Sequence, residues 1–208
     1  MLKQKVSPQR DTSPIGLRNG PEVILMSYEI AVNKAWEDLE KLKPQDTLSV
    51  KFLADEYSVD LKEKKVISLS CNALAKNFSA ILILHYLAAK LKGLPKLTEE
   101  WVSFKELYGV EGYYPAFRKR AIEPIIRKYG SHPEGILTAL ERLPAKRVDQ
   151  GDIGIVLETF ENVPAMVTLW RSDEEFGPEA NVLFDKSISE IFCTEDIVVL
   201  AGFIASQL

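Results

Sequence analysis

The hydrophobic pattern of the chain changes its period several times, and the order of those changes limits the fold more than any other property. A helical period gives way to alternation, then to an almost wholly apolar helix, short helical stretches, a second alternating region and a final helical stripe. Strands and helices do not alternate one for one, and no glycine-rich turn joins a strand to a helix. The pattern therefore predicts a single α+β domain built on antiparallel β-hairpins and excludes a doubly wound nucleotide-binding fold.

Three elements are predicted in the first half of the chain. Apolar residues spaced four and three positions apart predict an amphipathic helix from Ser27 to Leu42. Alternation over residues 57–61 and 66–69 predicts a β-hairpin. Residues 78–91 are apolar on nearly every side, so we expect them to form a buried central helix.

The second half is predicted to contain short helices, then strands, then a last helix. Several short helices are expected between Trp101 and Leu143, and Pro124 should kink one of them because its ring lacks an N–H and clashes with the preceding turn. A second hairpin is expected at residues 153–157 and 166–170, followed by an added strand at residues 182–184. A C-terminal helix is expected from Thr194 onward.

Length and composition describe an ordinary globular domain. The 208 residues are 46% hydrophobic and 27% charged, which excludes wholly disordered and membrane-embedded chains. Residues 1–22 are polar with several prolines and glycines, and we expect a flexible arm there, ahead of the domain at residues 23–208. The N-terminus lacks the apolar core of a secretory signal, and no apolar stretch is long enough for a membrane span. We therefore expect a cytoplasmic protein with no membrane partner.

Cysteine and histidine usage favours no common metal centre. Cys71 and Cys193 are the only cysteines, and neither has a second ligand at the spacing of a zinc or iron–sulfur site, so we expect no metal and no cofactor. His85 has apolar helical neighbours and is expected to be a hydrogen-bonded core residue. His132 is expected in an exposed turn. Cys193 precedes the last helix, whose dipole favours a lowered pKa, but it has no adjacent base and is expected to be a small packed residue.

Charge is divided unevenly along the chain. Residues 1–147 hold 24 Lys and Arg against 18 Asp and Glu, whereas residues 148–208 hold 2 against 12. The sequence pI of about 5.4 argues against sequence-specific nucleic-acid binding, which uses strongly basic domains. Pairing of the two oppositely charged parts between subunits would give a homodimer, which is one hypothesis for this protein.

One aromatic and basic segment has the residue types of a binding site for an anion. Residues 113–120 combine tyrosine rings with three consecutive cations near a helix start, where stacking and charge together suit a planar anionic ligand. The alternative is an exposed charged face, since Glu123 lies at helical spacing from several of these cations. The candidate ligand-binding residues in this aromatic-basic segment are Tyr113, Tyr114, Arg118 and Arg120.

An acidic segment follows the second hairpin and supplies the other candidates. Residues 170–175, here called the acidic turn, hold three consecutive carboxylates, and their candidate ligand-binding residues are Trp170, Arg171, Asp173 and Glu174. Carboxylates of this acidic region also suggest an alternative function, a carboxylate-dependent hydrolase or lyase using Asp152, Asp173, Glu174 and Asp185. The run lacks the alternating oxygen ligands of a calcium loop, so a solvated turn is the simpler interpretation. The sequence has no phosphate-binding loop and no nucleophile motif, and we predict no catalytic residue.

Several short motifs taken together resemble one known family. They are Trp101, Phe104, Glu106-Leu107, Gly112-Tyr113-Tyr114 with Phe117, Asp152-Ile153, the run from Leu169 to Phe176, and Leu183-Phe184-Asp185. Over most of residues 28–208 the chain resembles the domain-of-unknown-function 3786 family of anaerobic bacteria and archaea. Some members carry an N-terminal four-cysteine iron–sulfur segment, so the resemblance implies an accessory role in anaerobic redox or one-carbon metabolism. This chain has no cysteine before Cys71.

The leading expectation from the sequence is a non-catalytic binding or accessory module. It would use the aromatic-basic segment, facing the acidic turn, to hold an anionic small molecule or an acidic protein surface. The carboxylate-dependent enzyme and the homodimeric interaction protein are the two alternatives.

Overall fold

The first sheet is formed by consecutive strands of the N-terminal half. The computed structural model describes residues 21–208, with side chains from Tyr28 onward, so the predicted arm at residues 1–22 lies outside the described residues except for its last two. Helix α1 spans Pro21–Glu40, and an antiparallel sheet follows in the order β1-β2-β3-β4. Its strands are Thr47–Phe52, Asp55–Asp60, Lys65–Ser68 and Ala73–Leu74. The predicted hairpin is confirmed as β2 and β3, with Val59 opposite Val66.

The predicted central helix is confirmed as α2, Asn77–Lys92. Its apolar residues are buried on most sides, because α1, α6 and the sheets all pack around it. The region after it begins with a strand, β5 at Trp101–Ser103, where the sequence predicted a helix. That prediction was wrong because β5 is only three residues long and owes its conformation to pairing with a strand about eighty positions away, which local periodicity does not report.

Short helices follow, as predicted, and Pro124 shapes them. They are a 3₁₀ helix at Phe104–Glu106, α3 at Tyr114–Phe117, a π-helical turn at Arg118–Ile122, α4 at Glu123–Tyr129 and a 3₁₀ helix at Pro133–Glu141. Pro124 has no N–H to donate to the carbonyl of Arg120, and its ring would clash there in a regular α-helix. The backbone widens instead, so that the N–H of Glu123 donates to the carbonyl of Arg118.

The second sheet has five strands in the order β5-β9-β8-β7-β6, all antiparallel. Its remaining strands are β6 Ala145–Val148, β7 Ile153–Phe160, β8 Val163–Trp170 and β9 Glu179–Asp185. The predicted second hairpin is confirmed as β7 and β8, and the added strand as β9. Helix α5, Ile188–Ile191, leads into α6, Thr194–Gln207, whose N-cap is Cys193 rather than the predicted Thr194.

One hydrophobic core joins both sheets and the helices, which confirms the predicted α+β class. Phe160 lies at its centre, with its ring centroid 4.5 Å from that of Phe52 and 4.4 Å from that of Tyr86. The sheets also share a backbone hydrogen bond, from the N–H of Leu53 to the carbonyl of Thr159, at 2.7 Å. Of the described helices, none has both the length and the hydropathy needed to cross a membrane.

Candidate functional site

A cavity of about 560 Å³ lies among the helices, and we call it the helical cavity. Helices α1, α2, α3 and α6, together with the π-helical turn, enclose it. The volume lies within the range of small-molecule sites in proteins, and the wall is largely apolar, as in such sites. The apolar wall consists of Ala31, Phe78, Ile81, Ala116, Val198 and Val199. The ring of Tyr28 packs edge-on against that of Phe78, with centroids 4.3 Å apart, and the two close one side.

Polar groups gather at one end of the helical cavity, around Asp196. Its Oδ2 atom lies 2.8 Å from Nδ1 of His85 and accepts hydrogen bonds from the backbone N–H and the thiol of Cys193, at 3.4 and 3.2 Å. Asp196 is buried, whereas the side chain of His85 is 36% exposed. A carboxylate can only accept, so Nδ1 of His85 carries the proton in this hydrogen bond.

The structure corrects the expected burial of His85. The prediction that it is hydrogen-bonded is confirmed, but it lines the helical cavity instead of being enclosed in the core. Its helical neighbours are apolar because α2 is buried on most sides, and the same residues form the wall of the cavity. His132 is exposed, as predicted.

Cys193 lies at the start of α6 as an exposed residue with a free thiol. Partial burial of the sulfur, together with the negative charges of Asp196 and Glu195, raises the pKa of Cys193 to about 12. The dipole of α6 favours the opposite shift, but burial and the two carboxylates, whose oxygens lie 3.2 and 3.5 Å from the sulfur, outweigh it. The expectation of a packed side chain was wrong, because Cys193 is exposed and lines the cavity.

Two members of the aromatic-basic segment face the helical cavity. Tyr113 donates its hydroxyl to the carboxylate of Glu195, and this hydrogen bond and charge raise the pKa of Tyr113. Arg120 lines the cavity from the π-helical turn. None of the described residues forms an ion pair with Arg120.

The other two members of the segment point elsewhere. The ammonium group of Lys105 lies 4.3 Å from the ring centroid of Tyr114, on the side of the short 3₁₀ helix that precedes α3. Arg118 pairs with Glu123 at 3.5 Å on an exposed face, although the two residues are five positions apart and outside the helical spacing considered for this segment. Residues two positions apart on a helical segment do not share a face, so the side chains of Arg118 and Arg120 point in different directions.

The acidic turn belongs to a different part of the surface. Trp170 is partly exposed and packs over Gly151, and the guanidinium of Arg171 pairs with Glu134. Asp173 accepts hydrogen bonds from the backbone N–H groups of Phe176 and Glu175, which lower the pKa of Asp173. Glu174 is exposed. No hydrogen bond, ion pair or cavity wall found within residues 28–208 brings this turn together with Tyr113 or Arg120.

The two remaining candidate carboxylates hold the backbone in place. Asp152 accepts the backbone N–H of Arg171 at 2.7 Å. Asp185 is buried and accepts hydrogen bonds from the backbone and side chains of Ser187 and Thr98 and from the N–H of Glu99. Burial alone would raise the pKa of Asp185, but these hydrogen bonds stabilise the charged form and lower it to about 2. Asp185 is thus an ionised anchor between β9 and the strand β5 that pairs with it.

The cavity contains groups that local sequence patterns did not bring together. His85 and Asp196 are 111 positions apart, and no spacing rule connects them. A detectable signal was the helical spacing of Tyr113, Ala116 and Arg120, three and then four positions apart, which places them on one stripe. Among the described residues, no group of three His, Cys, Asp or Glu side chains has the arrangement required to hold a metal ion.

Comparison with known proteins gives one match. A family model described as "Domain of unknown function (DUF3786)" matches residues 38–207, which confirms the resemblance seen in the motifs. No curated protein and no solved structure matches the chain.

Proposed function

The chain belongs to the DUF3786 family, whose description assigns no activity, and from the site itself we propose that it binds a small amphipathic anion in the helical cavity. The apolar part of the ligand packs against the wall formed by α1, α2 and α6. Its anionic group pairs with Arg120. This is the binding module expected from the sequence, with the small molecule favoured over an acidic protein surface because the cationic group lines a cavity.

The main support for the proposal is which charged groups around the cavity already have a partner. Both carboxylates already have partners within the protein, since Asp196 accepts from His85 and Cys193, and Glu195 accepts from Tyr113. Arg120 lines the same cavity without an ion pair to any described residue. A ligand that brings a negative charge therefore supplies the missing partner, whereas a cation would compete with existing hydrogen bonds.

Binding without catalysis is the simpler role for these groups. The raised pKa of Cys193 keeps its thiol protonated near neutral pH, and a protonated thiol is a poor nucleophile. The carboxylates of the alternative hydrolase or lyase are occupied as backbone anchors at Asp152, Asp173 and Asp185. An acid–base enzyme in this chain would have to use the pair of His85 and Asp196 instead.

The expected metabolic role rests on the family resemblance, whereas the location and the homodimer were expected from the sequence itself. An accessory function in anaerobic redox or one-carbon metabolism, a cytoplasmic location and a homodimeric state all stay predictions. A binding protein for an amphipathic anion is compatible with such a role, since it could deliver or sequester a metabolite without transforming it.

A pair of fluorescent probes tests the proposal. The dye 8-anilinonaphthalene-1-sulfonate joins an apolar body to one negative charge, and N-phenyl-1-naphthylamine has the same rings without the charge. We expect Arg120→Gln to weaken binding of the sulfonate about tenfold or more, since a hydrogen bond to a charged group contributes about 1.5–3 kcal/mol. Binding of the neutral dye should be unchanged, because its apolar contacts remain.

Arg118→Gln is the matched control. It removes the same charge from the same helical turn, but Arg118 is paired with Glu123 and does not line the cavity. Equal weakening of the sulfonate by both substitutions would mean a general charge effect and would contradict a site at Arg120. Unchanged sulfonate binding in Arg120→Gln would contradict it as well.

A further inference from the structure

A second apolar depression continues from the helical cavity on the far side of Arg120. This side groove, of about 380 Å³, is lined by Phe78, Arg120, Val199, Gly202, Phe203 and Ser206. It shares Phe78, Arg120 and Val199 with the helical cavity, so the two spaces meet at these side chains. Arg120 is therefore a cationic group at the junction of two apolar compartments.

From this junction we propose the class of the ligand: a monoanion whose charged centre carries two apolar arms, such as a phosphate diester between two hydrocarbon chains. The inference rests on the proposed function and deepens it. The charged centre pairs with Arg120, one arm fills the helical cavity, and the other lies in the side groove.

The position of Gly202 supports an open groove. It lies inside α6, where glycine weakens a helix relative to alanine. Its φ is not positive, and the nearest atoms to a Cβ built there are Cβ and O of Arg120, at 3.7 and 3.9 Å. Neither backbone conformation nor close packing requires a glycine at this position. Its effect is to leave space beside Arg120, in the direction that a larger side chain would fill.

The charge distribution along α6 supports the same placement of the anion. Glu195 and Asp196 lie in the first turn of α6, whereas Gly202 lies nearly two turns further on, beside Arg120. At 1.5 Å per residue, the six positions from Asp196 to Gly202 span about 9 Å along the helix. An anionic centre at the junction is thus separated from the carboxylates, and the apolar arm in the cavity lies between them.

Matched diesters test the two-armed ligand. Dihexyl phosphate and hexyl methyl phosphate carry the same single charge and differ in one arm, and their affinities can be measured by displacement of 8-anilinonaphthalene-1-sulfonate. We expect dihexyl phosphate to bind wild-type protein at least about tenfold more tightly, because burial of two or three extra methylene groups suffices for that ratio. Gly202→Leu should abolish this advantage by filling the groove, so that the two diesters bind this variant equally.

Gly202→Ala is the control, because a single Cβ fits at ordinary contact distance and leaves the groove open. It should retain the advantage of dihexyl phosphate, and thermal unfolding of both variants confirms that they fold. Equal affinities of the two diesters for wild-type protein would overturn the two-armed ligand, whereas the Arg120 dependence of sulfonate binding would still support the proposed function. A dimer in sedimentation that Gly202→Leu dissociates would assign the groove to a second copy of the chain and would also overturn the proposal.

Discussion

At the scale of single residues, the environment of a side chain in this protein depends on distant partners. His85 was expected in the core because its helical neighbours are apolar, yet the same apolar neighbours line a cavity and leave part of the ring exposed. Its partner Asp196 comes from the first turn of the last helix. Neighbouring residue types therefore predicted the hydrogen bonding of His85 but not its exposure, since a buried helix face and a cavity wall have the same composition.

Cys193 allows a direct test of the charges at the polar end of the cavity. Partial burial and the carboxylates of Asp196 and Glu195 raise its pKa to about 12, so the reactive thiolate is scarce near neutral pH and increases as pH rises toward 12. We expect iodoacetamide at pH 8.5 to modify Cys193 at least about tenfold more slowly than the other exposed cysteine, Cys71, even after allowing for the greater nucleophilicity of a more basic thiolate. Peptide mapping by mass spectrometry measures both rates in one sample.

Asp196→Asn separates charge from accessibility in that experiment. It keeps the size of the side chain and removes one negative charge beside the sulfur, so modification of Cys193 should become several times faster while that of Cys71 stays the same. If Cys193 reacted as fast as Cys71 in the wild type at pH 8.5, the carboxylates would not control the thiol.

At the scale of elements, the buried helix and the two hairpins were predictable, whereas strands without a recognised local pattern, such as β5 and β6, were not. The buried helix α2 follows an apolar run at residues 78–91, and the β7–β8 hairpin follows shorter runs at residues 153–157 and 166–170, all of which local periodicity defines. Strands β5 and β6 are three and four residues long and exist because they pair with strands of the second sheet. Their conformation depends on the tertiary structure, which a local pattern does not contain.

The candidate site was predictable in part for the same reason. The aromatic-basic segment contains Tyr113 and Arg120, which line the cavity, but also Tyr114 and Arg118, which face other surfaces. The π-helical turn before Pro124 sets which side chains point inward, and no sequence spacing specifies that turn. The acidic turn was predicted as part of the site because of its residue types, although its contacts are with Glu134 and its own backbone.

The end of α4 offers a test of how tightly the helices pack on the second sheet. A Cβ at Gly130 would lie 2.6 Å from the carbonyl oxygen of Ile126 and 2.9 Å from Cγ of Pro178 in the β8–β9 loop. Gly130→Ala should therefore lower the free energy of unfolding by about 1–3 kcal/mol, the usual cost of overpacking, as measured by urea denaturation. Gly135→Ala should change it by less than about 0.5 kcal/mol, since its Cβ would stand at an ordinary 3.4 Å from the ring of Tyr129. Equal effects of the two substitutions would contradict this packing.

At the scale of the whole molecule, the uneven charge of the chain is neutralised in few places. Among the described residues, Lys90–Glu161 joins a cation of the first part to a carboxylate of the acidic part. In Arg171–Glu134 and Lys186–Glu100 the cation comes from the acidic part and the carboxylate from the first part. The two parts are therefore held together mainly by their shared hydrophobic core, and most of their charges stay on the surface.

Because one core supports both sheets, removing its centre should destabilise the entire domain at once. Phe160 is 1% exposed, and its ring stacks on Phe52 of the first sheet and on Tyr86 of α2. Phe160→Ala should lower the free energy of unfolding by about 3–5 kcal/mol, and Phe160→Leu by less, because leucine fills more of the cavity that is left. Hydrogen exchange measured by mass spectrometry should show protection falling by the same factor in β2 and in β8, which belong to different sheets. Loss of protection in β2 with full protection in β8 would mean that the sheets unfold separately, and the aromatic stack would then be a contact between two units and not the centre of one core.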